Sequence, residues 1–213
     1  MDLCLKYVLC LLTQDYWYMF SHPKQDINHS GDGGIYGQLL QNNGFQGPSP
    51  NLTGWASVGD GAKIAMDSEN PLTSAITKTL RLEVTLGATG PVGFTNEGYW
   101  GMPVDGSTFQ NYFWIKGDFN SNITARLVGT SSGTEYGSAS FPVVSNASDF
   151  TYVTASLPTK EAPDGNVYYE LTVDGKEASG SSLYFGLVQL FPETYHQRFV
   201  LPLCIMFFNI KNI

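Results

Sequence analysis

Thr79-Leu80-Arg81-Leu82-Glu83-Val84-Thr85-Leu86 alternates polar and apolar side chains without interruption. Leu80, Leu82, Val84 and Leu86 fall on one side and Thr79, Arg81, Glu83 and Thr85 on the other. That period of two is a strand with one face buried; a helix would scatter the same leucines around its axis. Working outward, further β-rich runs occupy Tyr99–Val104, Thr108–Lys116, Ile123–Gly129, Tyr136–Phe141, Thr151–Leu157, Val167–Val173 and Leu183–Leu190. Clusters with turn chemistry separate them, such as Asp105-Gly106-Ser107, Ser131-Ser132-Gly133, Pro163-Asp164-Gly165 and Asp174-Gly175-Lys176. This pattern of eight short strands predicts a mainly β fold, a two-sheet sandwich of jelly-roll or galactose-binding-like kind.

Residues 26–47 break the pattern. Gly31-Asp32-Gly33-Gly34 reads as a loop, after which Ile35, Leu39 and Leu40 recur at the spacing of one helical face. A helix is expected from Gly34 to Asn43, stopped by Gly44.

Composition narrows the function classes. Of 213 residues only 14% are charged, against roughly 25% in an average globular protein. Gly is abundant at 23 residues, and aromatics make up 14%, which argues against both a helical bundle and a disordered chain. With 11 basic and 19 acidic residues the net charge is −8, so the footprint of a nucleic-acid binder is missing. The three cysteines, Cys4, Cys10 and Cys204, lie near the ends, and His22, His29 and His196 are scattered. No metal-ligand spacing results, and neither a metal nor another cofactor is expected. Sequons at Asn28, Asn51, Asn122 and Asn146 point to a secreted glycoprotein. Leu3–Leu12 resembles a short signal-peptide core, although Asp2 and Lys6 fit it poorly. The run is too short to span a bilayer, so no membrane role is expected.

Candidate chemistry centres on aromatics. Sugar rings stack their C–H faces on Tyr and Trp while neighbouring amides bond the hydroxyls. Asn96, Tyr99 and Trp100 form the candidate patch, with Trp55, Tyr112 and Trp114 as neighbours. The alternative for any such Trp is a core role. Phe109, Phe113 and Ile115 alternate with Tyr112 and Trp114, so one set faces inward. Glycoside hydrolysis needs two opposed carboxylates. Asn96-Glu97 imitates a catalytic pair but lies amid sandwich strands, and Glu83, Glu135 and Glu170 read as solvated outward charges. No catalytic residue is assigned.

Asp26-Ile27-Asn28-His29-Ser30-Gly31-Asp32-Gly33-Gly34-Ile35-Tyr36-Gly37-Gln38-Leu39-Leu40-Gln41-Asn42-Asn43-Gly44-Phe45-Gln46 resembles the start of fungal-type α-L-arabinofuranosidases of glycoside hydrolase family 51. Gly98-Tyr99-Trp100-Gly101-Met102-Pro103-Val104 and Leu190-Phe191-Pro192-Glu193-Thr194-Tyr195 agree with the same family. The resemblance implies that 26–47 is the first strand-loop-helix unit of an incomplete (β/α)8 barrel. It implies that 48–190 is an inserted jelly roll like a carbohydrate-binding module. On this reading 1–25 and 191–213 are, respectively, a non-family N-terminus and a linker with an atypical apolar tail. Lys24-Gln25 stands where the family carries Phe-Glu, and neither catalytic glutamate has a counterpart. The implied activity is hydrolysis of terminal α-L-arabinofuranosides in arabinoxylan and arabinan, polysaccharides of plant cell walls, by an extracellular enzyme. This chain is expected to be an inactive fragment of it. Two other readings are a stand-alone sugar-binding module and a sandwich that only buttresses the barrel.

Overall fold

A computed structural model describes residues 38–46 and 52–193, all within one compact unit. Ten strands follow one another: β1 (Trp55–Val58), β2 (Ala62–Asp67), β3 (Thr79–Val84), β4 (Pro91–Asn96), β5 (Thr108–Lys116), β6 (Phe119–Gly129), β7 (Glu135–Ser145), β8 (Thr151–Pro158), β9 (Val167–Asp174) and β10 (Ser182–Phe191). They form two antiparallel five-stranded sheets, ordered β1-β4-β9-β6-β7 and β2-β3-β10-β5-β8. The mainly β, two-sheet expectation therefore holds, and most strands lie where alternation put them.

Alternation chooses the inward faces. Leu80, Leu82 and Val84 of β3, Phe109, Phe113 and Ile115 of β5, and Tyr169, Leu171 and Val173 of β9 are all buried between the sheets. Aromatic rings run through this core in tilted and T-shaped contacts: Phe45–Trp55 at 5.3 Å, Trp55–Phe94 at 5.4 Å, Phe94–Phe185 at 4.9 Å and Phe185–Phe113 at 5.9 Å. Tilted and T-shaped pairs at these distances add to the burial of each ring.

In β10 the alternation slips by one residue. Leu183 and Phe185 face the core, but so do Val188 and Leu190. A bulge between Gly186 and Gln189, with Leu187 at φ 47°, resets the parity. Asn111, buried on β5, donates to the Gln189 carbonyl (2.8 Å) and accepts from the Tyr169 hydroxyl (3.0 Å). Burial, opposed only in part by that bond, raises the Tyr169 phenol far above its ordinary range, so it stays protonated and donates.

Three expectations are corrected here. Tyr99–Val104 is a loop, because Gly98 and Gly101 hold positive φ values of 67° and 83°. Leu86 lies beyond the end of β3 and is 84% exposed. The helix over 34–43 is not found where it is described: residues 38–43 form an extended stretch and a turn, while 34–37 fall outside the described residues. Its spacing of apolar residues serves a different geometry. Gln38 Oε1 accepts from the N–H groups of Leu39 and Leu190 (both 2.9 Å), and the Leu39 N–H also reaches the Leu190 carbonyl (3.1 Å). Asn42 and Phe45 take positive φ, which no α-helix carries. Leu40 and Phe45 are thereby buried in the sandwich core.

Candidate functional site

The β4–β5 connection is built on Asn96, the last residue of β4. Its Oδ1 accepts from the N–H groups of Gln41 (3.1 Å) and Gly98 (2.9 Å), and its Nδ2 donates to the Gln41 carbonyl (2.9 Å). The side chain is wholly buried. Asn96 is therefore not a sugar-contacting amide, as its neighbourhood in sequence suggested; its polar atoms are taken up in tying 38–46 to the loop. Gly101 packs against Gly165 so closely that a Cβ would lie 2.0 Å from the Gly165 carbonyl oxygen. Met102 and Val104 anchor the far side of the loop in the core.

This rigid base presents two aromatics. Trp100 is 77% exposed, Tyr99 is half-buried, and their rings lie 6.4 Å apart at 45°. Glu97 is exposed on the same loop. Trp55 is instead a core residue, capped by donation from its Nε1 to the Asn42 carbonyl (3.0 Å).

Tyr112 and Trp114 lie on the outer face of the second sheet, opposite in facing to Phe109, Phe113 and Ile115. Tyr112 is parallel to Tyr152 within 3° at 6.3 Å and meets Phe191 at 6.0 Å, while Trp114 meets Tyr152 at 4.9 Å. The sequence placed neither Tyr152 nor Phe191 in this group, because only the pairing of β5 with β8 and β10 brings them together.

Carboxylates give no catalytic pair here. Glu83 and Glu135 are partly exposed but ion-paired, with Arg81 (2.9 Å) and Arg126 (3.8 Å), whereas Glu170 is 3% exposed and bound by the Arg126 guanidinium, through Nε (3.0 Å) and Nη2. Its position on β9 does point outward; the long Arg126 side chain from neighbouring β6 lies over it. The Glu170 hydrogen bond raises the Arg126 guanidinium pKa, against the cost of burial. Among the described residues the other buried carboxylate is Asp67, whose Oδ1 accepts from the N–H groups of Glu69 and Asn70 (3.0 and 2.7 Å). No group of three or more metal-ligating side chains occurs among the described residues. Nor is any helix there long and apolar enough to cross a membrane. Asn122, on the outer face of β6, and Asn146, in the β7–β8 turn, are exposed; Asn28 and Asn51 lie outside the described residues.

Fold and site together define an antiparallel β-sandwich module that displays aromatic side chains on one loop and on one sheet face. No family model matches the chain. Over 183 residues it is 64% identical to a probable alpha-L-arabinofuranosidase A of Aspergillus flavus and 63% identical to alpha-L-arabinofuranosidase A of Aspergillus kawachii. Each match takes in 86% of this chain and 28% of the relative. Among solved structures, the arabinose-bound MgGH51 α-L-arabinofuranosidase superposes with a TM-score of 0.74 at 34% identity, covering 81% of this chain and 29% of that one. The active domain of a bacteriophage CBA120 tailspike protein shares the fold alone, with a TM-score of 0.54 at 18% identity. The chain is thus homologous, at 61–64% identity over 86% of its length, to part of the fungal alpha-L-arabinofuranosidases A, and it spans 28% of the length of the curated relatives it matches.

Proposed function

We propose that this chain is the portion of a secreted α-L-arabinofuranosidase that carries the accessory jelly roll. The whole enzyme would remove terminal α-L-arabinofuranosyl groups from arabinoxylan and arabinan. The observation that carries this reading is 61–64% identity over 183 residues to arabinofuranosidases A of several Aspergillus species. Retaining glycosidases need two carboxyl groups about 5 Å apart, one acting as nucleophile and one as acid. Among the described residues the buried carboxylates are instead held by structural partners, Glu170 by Arg126 and Asp67 by its own loop. The described sandwich is thus a non-catalytic part, and 38–46 goes with it because Leu40 and Phe45 lie in its core. Purified protein incubated with an aryl α-L-arabinofuranoside is expected to release no arabinose above a buffer control. Turnover would refute the assignment.

A second reading, a module that binds the substrate polysaccharide, is favoured by Trp100, an aromatic 77% exposed on a loop fixed at its base. Tyr99 and Trp100 are its sugar contacts. Retardation in arabinoxylan gels that is weakened by Trp100→Ala supports it; identical mobility of variant and parent counts against it. Exposed Asn122 and Asn146 are the sites where secretion would attach glycans, alongside Asn28 and Asn51.

A further inference from the structure

On the outer face of the second sheet, at the end where β5 and β10 carry Lys116 and Ser182, two hollows adjoin. Their volumes are about 340 and 360 Å³, and they share Asn70 and Lys116 as lining. Trp114 lines the first and Tyr184 the second. Tyr184 pairs with Lys116 across the strands and Gly186 pairs with Trp114, so the two rings are diagonal neighbours on adjacent strands. The Trp100 loop precedes the opposite end of β5, a strand on the order of 27 Å long.

The walls of this groove are preformed. On one side the loop after β2 is closed by Asp67, whose Oδ1 accepts from two backbone N–H groups and from the Asn70 amide (3.2 Å). On the other, Asn146 Oδ1 accepts from the N–H groups of Ser148 (2.8 Å) and Asp149 (2.9 Å). Leu72 closes over Gly186, where a Cβ would sit 3.1 Å from the leucine methyl. Walls already ordered reduce the entropy lost when a ligand binds.

We propose that this double hollow is a second carbohydrate site, one that holds consecutive neutral sugar residues of a polysaccharide. One ring stacks on Trp114 and the next on Tyr184. Asn70, Lys116 and the hydroxyls of Ser148 and Ser182 bond the sugar hydroxyls. A lining that combines aromatic rings with short polar groups matches a sugar, whose C–H face is apolar and whose edge is not. An anionic ligand fits poorly: Lys116 is the single cation lining the hollows among the described residues, and Glu69, Asp149 and Asp118 line them as well. A protein partner fits poorly too, since a stable interface takes roughly 800 Å² per side with few charges at its centre. Arabinoxylan as the polymer rests on the family reading given above; the groove itself does not.

Affinity electrophoresis of the full chain tests this, in gels containing arabinoxylan, arabinan, mannan or a soluble β-glucan. Melting curves accompany each variant to show that it is folded. Retardation is expected in arabinoxylan, weakened about tenfold by Trp114→Ala and by Tyr184→Ala, and largely kept by Trp114→Phe. If Trp114→Ala does not fold, Tyr184→Ala and Lys116→Met carry the test. Retardation by mannan or β-glucan alone, lost in the same variants, upholds the groove while counting against the arabinoxylan reading. Retardation in no gel overturns the groove and leaves the arabinofuranosidase reading standing. Binding unchanged in folded groove variants but lost in Trp100→Ala overturns it in favour of the loop. Binding that emerges only after enzymatic removal of N-glycans overturns it as well, because the chain's own glycan would then occupy the groove.

Discussion

Asn96→Ala separates a sugar-contacting amide from a structural one. The substitution removes three hydrogen bonds, those with the Gln41 N–H, the Gly98 N–H and the Gln41 carbonyl. The site is fully buried, so water does not readily replace the lost partners. At about 1 kcal/mol net for each bond, the folded state loses about 3 kcal/mol. For a domain of this size that lowers Tm by about 6 to 12 °C. Thermal unfolding at neutral pH followed by circular dichroism measures the shift, and amide exchange at Gly98 and Gln41 should quicken with it. Asn96→Asp is a sharper version. It keeps an acceptor for the two N–H groups but sets a buried carboxylate against the Gln41 carbonyl. With an acceptor set against an acceptor, that variant should also melt below the parent at pH 7. By contrast, Trp100→Ala, at 77% exposure, should leave Tm within about 2 °C. An Asn96→Ala protein that melts with the parent but no longer binds polysaccharide would refute the structural role.

Arg126→Ala leaves Glu170, 3% exposed, without its counter-ion. Breaking a fully buried pair costs about 3 to 5 kcal/mol, but Arg126 is 34% exposed, so screening reduces the expected loss to about 2 kcal/mol. Urea unfolding should show that loss for Arg126→Ala, with much of it recovered when Glu170→Leu is added; strictly additive losses would contradict the pairing. Tyr169→Phe should cost about 1 kcal/mol at pH 7 through the lost bond to Asn111. Its larger signature lies at alkaline pH. Burial holds the Tyr169 phenol above the ordinary value of 10, so the proton stays longer in the folded than in the unfolded chain. The stability this contributes is complete below pH 10 and declines by about 1.4 kcal/mol per pH unit above it. Melting curves from pH 9 to 12 should therefore fall less steeply for Tyr169→Phe, and parallel curves would contradict a phenol held protonated by the fold.

Strands were legible wherever one face meets the core and the other meets water. β3, β5 and β8 declare themselves in this way, since burial of alternate residues is a local pattern. β1, β2 and β4 escaped notice. β1 has only four residues, and Gly93 interrupts β4 where the backbone of β9 approaches so closely that a Cβ would lie 2.0 Å from the Leu171 carbonyl oxygen. Of the candidate site, the exposed Trp100 was legible as an aromatic in a glycine-rich stretch. The burial of Asn96 was not, because two of its three partnerships are with Gln41, 55 residues away.

From its amino acids alone this chain is committed to β structure and to a net negative charge, and the run from Asp26 to Gln46 carries its likeness to the arabinofuranosidases. Those properties depend on composition and on neighbours a few residues apart. Tertiary structure decided the rest. It turned the helical spacing of Leu39 and Leu40 into a strap along β10, placed Arg126 over an outward glutamate, and reset the facing of β10 with one extra residue. It also gathered Trp114, Tyr184 and two distant loops around one groove. Each of these outcomes is set by which strands pair and what lies across from them, and pairing partners dozens of residues apart leave no local period to read.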